Sequence, residues 1–168
     1  LAKKFPVSKI YGYDVSEKSL LAAQKRNENI RNLFFINDIS ADQKYDIILG
    51  ANVFHHVKKN ERCSTLKKLM ELLQPGGAIV IIEHNPYNPL TRYIVKRCPF
   101  DADAKLISRQ EFIKLAYRCG LCVNSKRYIL MFPWDFKIFR RMEKLFSQVP
   151  FGAQYMLLLK SEEIILQI

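Results

Sequence analysis

One stretch limits the possible folds of this 168-residue chain more than any other: Tyr45-Asp46-Ile47-Ile48-Leu49-Gly50-Ala51-Asn52-Val53-Phe54-His55-His56-Val57. An acidic residue opens a run of β-branched and large apolar side chains, the signature of a buried strand. The run breaks at Gly50-Ala51-Asn52, where small and polar side chains let another group approach the backbone. Two histidines follow, then a basic segment with helical spacing. In open α/β sheets, ligands bind beyond the carboxyl ends of the strands. This stretch therefore predicts one wall of a binding site.

The flanking sequence repeats the strand-then-helix alternation. Leu1 to Phe5, stopped by Pro6, has the character of a last helical turn. Ser8 to Val15 predicts a strand ending on Asp14, and Ser16 is a good N-cap for a helix running to about Glu28. Asn32 to Ile39 predicts a third short strand, ending on Asp38. A carboxylate at a strand tip can accept hydrogen bonds from two ribose hydroxyls at once. Capping of the next helix or an Asx turn would also place Asp14 and Asp38 there. Two carboxylates at successive strand ends count for more than either alone.

After the histidines, Lys58 to Leu73 predicts an amphipathic helix. Cys63, Leu66, Leu69, Met70 and Leu73 form its apolar stripe, and Lys58, Lys59, Arg62, Lys67 and Lys68 its solvated face. Gln74-Pro75-Gly76-Gly77 interrupts the pattern, and Ala78 to Glu83 resumes as an apolar strand. Glu83-His84-Asn85-Pro86-Tyr87-Asn88-Pro89-Leu90-Thr91-Arg92 then bunches polar and aromatic groups in a proline-stiffened loop, where a substrate is expected. Cys98 to Ala104 predicts a turn or lid. Ser108-Arg109-Gln110-Glu111 is a capping box opening a helix that ends at Gly120. Leu121 to Met131 and Pro150 to Lys160 are the last two strands. Between them, Trp134 to Phe146 is a basic amphipathic segment, expected to pack as a helix on its own domain rather than on a membrane surface.

These features together resemble the class I S-adenosylmethionine-dependent methyltransferases. The resemblance rests on Asp46-Ile47-Ile48 with the following Asn52 and His55-His56, and most specifically on Leu73-Gln74-Pro75-Gly76-Gly77 before an apolar strand. It extends from the second strand of that fold to the seventh and is nearest a bacterial small-molecule-like subgroup. It implies a Rossmann-like, doubly wound, mostly parallel sheet in a three-layer α/β/α arrangement. The last strand is antiparallel and inserts beside the sixth. It further implies one methyltransferase domain over residues 1–168, with a helical insertion at about 133–149. The first strand and its G-x-G-x-G loop are expected upstream of Leu1, as in an N-terminally truncated domain.

The resemblance also assigns roles. S-adenosyl-L-methionine is the implied cofactor, lined by Asp14, Val15, Asp38, Ile39, Gly50, Ala51 and Asn52. Asp14 stands where the family holds the ribose, and Asp38 where it accepts from the adenine amino group. His56, His84 and Glu83 are the candidates for removing a proton from an O, N or C nucleophile. His55, Asn85, Tyr87 and Arg92 are the candidates for contacting the acceptor.

Composition bounds the partners. The formal charge of +11 favours anionic ones, leaving nucleic acid or an acidic membrane surface open beside a small-molecule substrate. No apolar run approaches a membrane span. Four cysteines at irregular spacing fit reduced thiols of a cytoplasmic protein. Cys119-Gly120-Leu121-Cys122 has no second pair to complete a zinc site, and the histidines offer no H-x-H or H-x-x-x-H spacing, so no metal is expected. Two other functions share these features. A nicotinamide-dependent oxidoreductase also uses a strand-end Asp, but the Leu73 to Gly77 break and the absence of a Tyr-x-x-x-Lys pair argue against it. A non-catalytic Rossmann-like domain holding an anionic partner would show salt-dependent binding without a cofactor.

Overall fold

The computed structural model describes residues 1–40, 42–131 and 146–161. The chain divides into two compact units, 1–43 and 44–168.

In the first unit, β1 (Ile10–Tyr13) and β2 (Leu33–Ile36) pair in parallel, with Ile10 opposite Leu33 and Tyr13 opposite Ile36. Helix α1 (Glu17–Arg26) crosses between them. Its first turn is closed by Ser16, whose Oγ accepts from the Ser19 amide at 3.3 Å. Asn32 ties the preceding segment to the sheet by donating from Nδ2 to the Phe5 and Ser8 carbonyls at 2.9 and 2.8 Å. Leu1 to Phe5 form a single hydrogen-bonded turn. Both strands are shorter than the sequence predicts because pairing stops before Asp14 and Asp38, where the chain turns.

The second unit holds a four-stranded sheet of order β3-β4-β6-β5. Its strands are β3 (Tyr45–Ala51), β4 (Leu73–His84), β5 (Leu121–Ile129) and β6 (Gln154–Ser161). β3 and β4 are parallel, whereas β6 runs antiparallel to both β4 and β5 and lies between them. The insertion expected of the last strand is thus present. Side chains of a strand alternate between faces, and the alternation is legible in burial. Ile79, Ile81 and Glu83 are buried on β4, and Tyr155, Leu157 and Leu159 on β6. With Leu66 of α2 (Arg62–Glu71), Phe112, Leu115 and Ala116 of α4 (Arg109–Arg118), and Phe54, the apolar members of these two rows form one core. Glu83 thus ends a buried row, and its carboxylate must find partners inside the protein.

Several elements depart from expectation. α2 starts four residues later than Lys58, because 58–61 form turns. Leu73 begins β4 instead of ending the helix. Tyr45 pairs with Leu73 and Ile47 with Ala78, so Gln74 to Gly77 loop out opposite Asp46 while the strand continues. The rigid loop expected from Glu83 to Arg92 stops at Asn88, where helix α3 (Pro89–Arg97) begins. Asn88 caps it by accepting from the Thr91 amide at 2.9 Å, and Pro89 takes the first position, where no amide hydrogen is needed. A 3-10 turn, Pro99–Asp101, follows.

The Ser108–Glu111 capping box opens α4 as expected, and Gly120 ends it at φ +83°. The expectation of four reduced thiols is corrected. α2 and α4 bring Cys63 and Cys119 to a Cα separation of 5.8 Å and the two are joined as a disulfide, while Cys98 remains a thiol. The basic amphipathic segment from Trp134 lies, but for Phe146, outside the described residues, as does most of the expected insertion at 133–149. Among the described residues, no helix is long and apolar enough to cross a membrane.

Candidate active site

At the carboxyl ends of β3 and β4 the backbone is held by the strand-end carboxylate. Glu83 Oε1 accepts from the amides of Val53 and Phe54 at 2.9 and 2.6 Å, and its Oε2 meets His55 Nδ1 at 2.7 Å. The turn that carries both histidines is therefore pinned to β4. A second clamp comes from Arg62, itself buried, which donates to the Val57 carbonyl at 3.0 Å and the Lys105 carbonyl at 2.7 Å. The Lys105 amide in turn donates to the His55 carbonyl at 2.8 Å. Placement of the histidines is rigid.

Two residues not singled out from the sequence complete the cluster. Asp101 Oδ1 lies 3.3 Å from His55 Nε2 and 3.3 Å from His56 Nε2, and Asp103 Oδ1 lies 3.2 Å from His56 Nδ1. Both carboxylates come from the segment after α3. Their one sequence-level signal was the Asp-x-Asp spacing in the expected lid. Burial pulls the His55 pKa down, but Glu83 and Asp101 on either side outweigh it and raise it above the ordinary value. For Asp101, burial acts upward, yet hydrogen bonds with Cys98 and His55 leave it lowered. His84, with its ring 5.1 Å from that of His55, is lowered by its own burial and then by the His55 charge.

Asn52, just past β3, takes the left-handed conformation at φ 55°. Its amide donates to the Ile82 carbonyl at 2.8 Å, and its Oδ1 accepts from Gln154 Nε2 at 3.0 Å. Gly50 is buried against Ile81 and Phe54, whereas Ala51 is exposed. Asn85 is fully buried and spans to the β6 side. Its Nδ2 donates to the carbonyls of Pro150 and Gly152 at 2.9 and 2.8 Å, and its Oδ1 accepts from the Tyr87 amide at 3.1 Å. Every polar atom of that side chain is engaged inside the protein. Tyr87 and Arg92 are exposed, and Arg92 lines a shallow cleft with Lys96, Val95, Leu106 and Asp101.

In the first unit, Asp14 and Asp38 stand just beyond the parallel neighbours β1 and β2, at the same end of that sheet. Asp14 Oδ1 accepts from the Ser16 amide at 2.8 Å, orienting the carboxylate at the start of α1. Val15 is exposed and Ile39 half-buried. An oriented strand-end carboxylate fits the donors that a nucleotide-like ribose presents.

Strand-ending carboxylates, parallel strands and an antiparallel β6 inserted in the second sheet define the protein as Rossmann-like α/β with polar groups gathered beyond its strand ends. Comparison with known proteins refines that class. The profile of the family described as a methyltransferase domain matches residues 1–79. A highly reducing polyketide synthase, rstn3, of Aspergillus nomiae is 34% identical over 95 residues, which are 51% of this chain and 4% of the synthase. PKMT2 of Rickettsia typhi matches in structure with a TM-score of 0.65 at 15% identity, covering 97% of this chain and 46% of that one. The O-methyltransferase of a trans-AT polyketide synthase multienzyme of Brevibacillus brevis, solved with S-adenosyl-L-homocysteine, gives 0.59 at 14%, covering 95% and 61%. The chain thus spans a small part of the curated relatives it matches. Residues 1–79 thus match the methyltransferase-domain family, and over nearly all its length the chain shares the fold of methyltransferases of known structure.

Proposed function

We propose that this chain acts in an S-adenosylmethionine-dependent methyltransferase, passing a methyl group to an O, N or C nucleophile of a small molecule. The observation that carries the reading is the coincidence of the methyltransferase-domain match over residues 1–79 with Asp14 and Asp38 beyond the ends of adjacent parallel strands, Asp14 being oriented by the Ser16 amide. When bound, the cofactor supplies an electrophilic methyl on a sulfonium sulfur. Asp14 would accept from the ribose hydroxyls and Asp38 from the adenine amino group. Val15 and Ile39, which follow those carboxylates, would line the cofactor beside them.

Methyl transfer is a displacement in which nucleophile, carbon and sulfur are in line, so holding the acceptor in place supplies much of the rate. The rigidly pinned turn after β3 suits that task. Glu83 has both oxygens engaged by Val53, Phe54 and His55, which makes it a positioning residue. Of the other two candidate bases, His56 meets Asp101 and Asp103 at its two ring nitrogens, so His84 is the better candidate to take a proton from an acceptor that must lose one. Arg92 and Lys96 along the cleft beside Asp101 support an acceptor with an anionic group, and the polyketide synthase similarity supports a small molecule. Nucleic acid or an acidic membrane surface remains a weaker use of the basic charge.

A cytoplasmic setting belongs to the same reading. The Cys98 thiol supports it and the Cys63–Cys119 disulfide opposes it. Alkylation of acid-quenched protein decides: four modified cysteines fit a reducing compartment, two an oxidising one.

Calorimetric titration of S-adenosylhomocysteine into the full chain tests the cofactor. Binding that falls at least about tenfold in Asp14→Ala is expected, since the ribose contacts are charge-assisted. Lack of binding, with salt-sensitive retention of a polyanion instead, would overturn the reading in favour of a non-catalytic domain.

A further inference from the structure

Three ligand atoms converge beside the turn that follows β3. His55 Nε2 and His56 Nε2 each lie 3.3 Å from one oxygen, Asp101 Oδ1, and the three groups offer atoms all within 4.8 Å of one another. The other ring nitrogens also face carboxylates. Glu83 Oε2 is 2.7 Å from His55 Nδ1, and Asp103 Oδ1 is 3.2 Å from His56 Nδ1.

A neutral imidazole carries one N–H. With that hydrogen on Nδ1, donated to Glu83 or Asp103, each Nε2 presents a lone pair toward the same anionic oxygen. In that state a cation at the centre would satisfy both lone pairs and the carboxylate together. Histidines that ligate metals commonly donate their second N–H to a carboxylate, which fixes tautomer and ring orientation. Here both histidines have that support. The spacing also suits an ion, since ligand atoms about 2.0–2.1 Å from a tetrahedral centre stand about 3.3–3.4 Å apart.

We propose that His55, His56 and Asp101 form a two-histidine, one-carboxylate site for a divalent transition-metal ion of the zinc type, oriented by Glu83 and Asp103. Two imidazole nitrogens exclude calcium and magnesium, which take oxygen ligands. Three protein ligands leave a coordination position open, as catalytic zinc sites do. His56 is 36% exposed, which gives the ion a route from solvent. Adjacent histidines carry no recognised metal spacing; the third ligand arrives from 46 residues further on. The site rests on this geometry alone and goes beyond methyl transfer. Should the chain also be a methyltransferase, the ion would occupy His56 and leave His84 as the group free to take a proton.

The experiment titrates Co(II) alone into the chelator-stripped full chain, reading visible ligand-field absorption, with Zn(II) added afterwards as competitor. One equivalent of Co(II), displaced by one of Zn(II), is expected. His56→Gln and Asp101→Asn should each weaken binding by more than about tenfold, and Asp103→Asn by about tenfold, the lower end of second-shell effects on metal affinity. His56 is half-exposed and Asn is isosteric with Asp, so far-UV circular dichroism should be unchanged in both ligand variants. If Asp101→Asn alters it, His56→Gln carries the comparison. No ligand-field absorption, or equal affinity in the chain and its ligand variants, would overturn the proposal. Neither result depends on cofactor binding.

Discussion

Glu83 and His55 are joined by a 2.7 Å contact between Oε2 and Nδ1, with both side chains only 1% exposed. The other Glu83 oxygen holds the amides of Val53 and Phe54. One carboxylate therefore connects the end of β4 to the turn after β3. Truncation leaves two backbone amides, the buried one of Phe54 and the partly buried one of Val53, without an acceptor and an imidazole without its counter-charge. Glu83→Ala should cost about 3–5 kcal/mol, the range for removing one partner of a buried ion pair. Glu83→Gln keeps the volume and the acceptor for the backbone amides, so about 1–3 kcal/mol is expected. Urea unfolding monitored by fluorescence distinguishes them, and equal losses would contradict the assignment.

Asn85 secures the opposite side of the same region through the Pro150 and Gly152 carbonyls and the Tyr87 amide. Asn85→Ala should destabilise by about 2–4 kcal/mol, because one buried and two partly buried backbone groups lose their partner together. Asn85→Asp preserves shape but turns an anion toward two carbonyl oxygens. It should be the more damaging at neutral pH and partly recover as the carboxyl is protonated. Thermal melts at acid and neutral pH measure this. Retention of a normal melting temperature by Asn85→Asp would contradict the donor role of Nδ2.

Much of this architecture was legible because it is local. The apolar run at Ile47–Leu49, the Ser16 and Ser108 caps, and Gly120 at the end of α4 all depend on neighbours within a few residues. α3 was obscured by Pro86 and Pro89, which suggest a stiff loop. Yet Asn88 followed by Pro89 is also a valid helix start, and only the packing of Thr91 and Val95 decides between the two. The site was legible one residue at a time but not as a constellation. Glu83, His55 and His56 stood out, while Asp101 and Asp103 meet them from 46 and 47 residues beyond the histidines. Cys63 and Cys119, 56 residues apart, pair only because α2 and α4 pack together. Long-range pairings of this kind leave no periodic trace in the sequence.

The two glycines before the apolar part of β4 have different duties. Gly76 is at φ +83° with nothing within 4 Å of an added Cβ, whereas such an atom on Gly77 would meet Gln74 O at 2.9 Å and the Tyr45 and Asp46 carbonyls at 3.1 Å. Gly76→Ala should thus cost about 1–2 kcal/mol from backbone strain alone. Gly77→Ala must displace backbone on two strands and should cost more, about 2–3 kcal/mol or above. Chemical denaturation of the pair tests the order. A reversed order would mean that the loop between Leu73 and Ala78 relaxes without moving β3.

The capping box of α4 gives the fold a predictable response to acid. Glu111 Oε2 accepts from Ser108 Oγ at 2.7 Å and from the Ser108 amide at 2.9 Å. These bonds, aided by the charges of Lys59 and Arg62, hold its carboxyl below the ordinary glutamate value despite partial burial. A group with a lowered pKa in the folded state binds protons more readily when unfolded. Its stabilisation is therefore complete above the unfolded value of about 4.3 and is lost as pH falls through the folded value. The melting-temperature difference between the native chain and Glu111→Gln should be constant above about pH 6 and shrink below about pH 4. Ser108→Ala should cost about 1 kcal/mol at neutral pH and should flatten the acid dependence of that difference, because it removes the bonds that shift Glu111. A melting-temperature difference that grows on acidification would contradict this assignment.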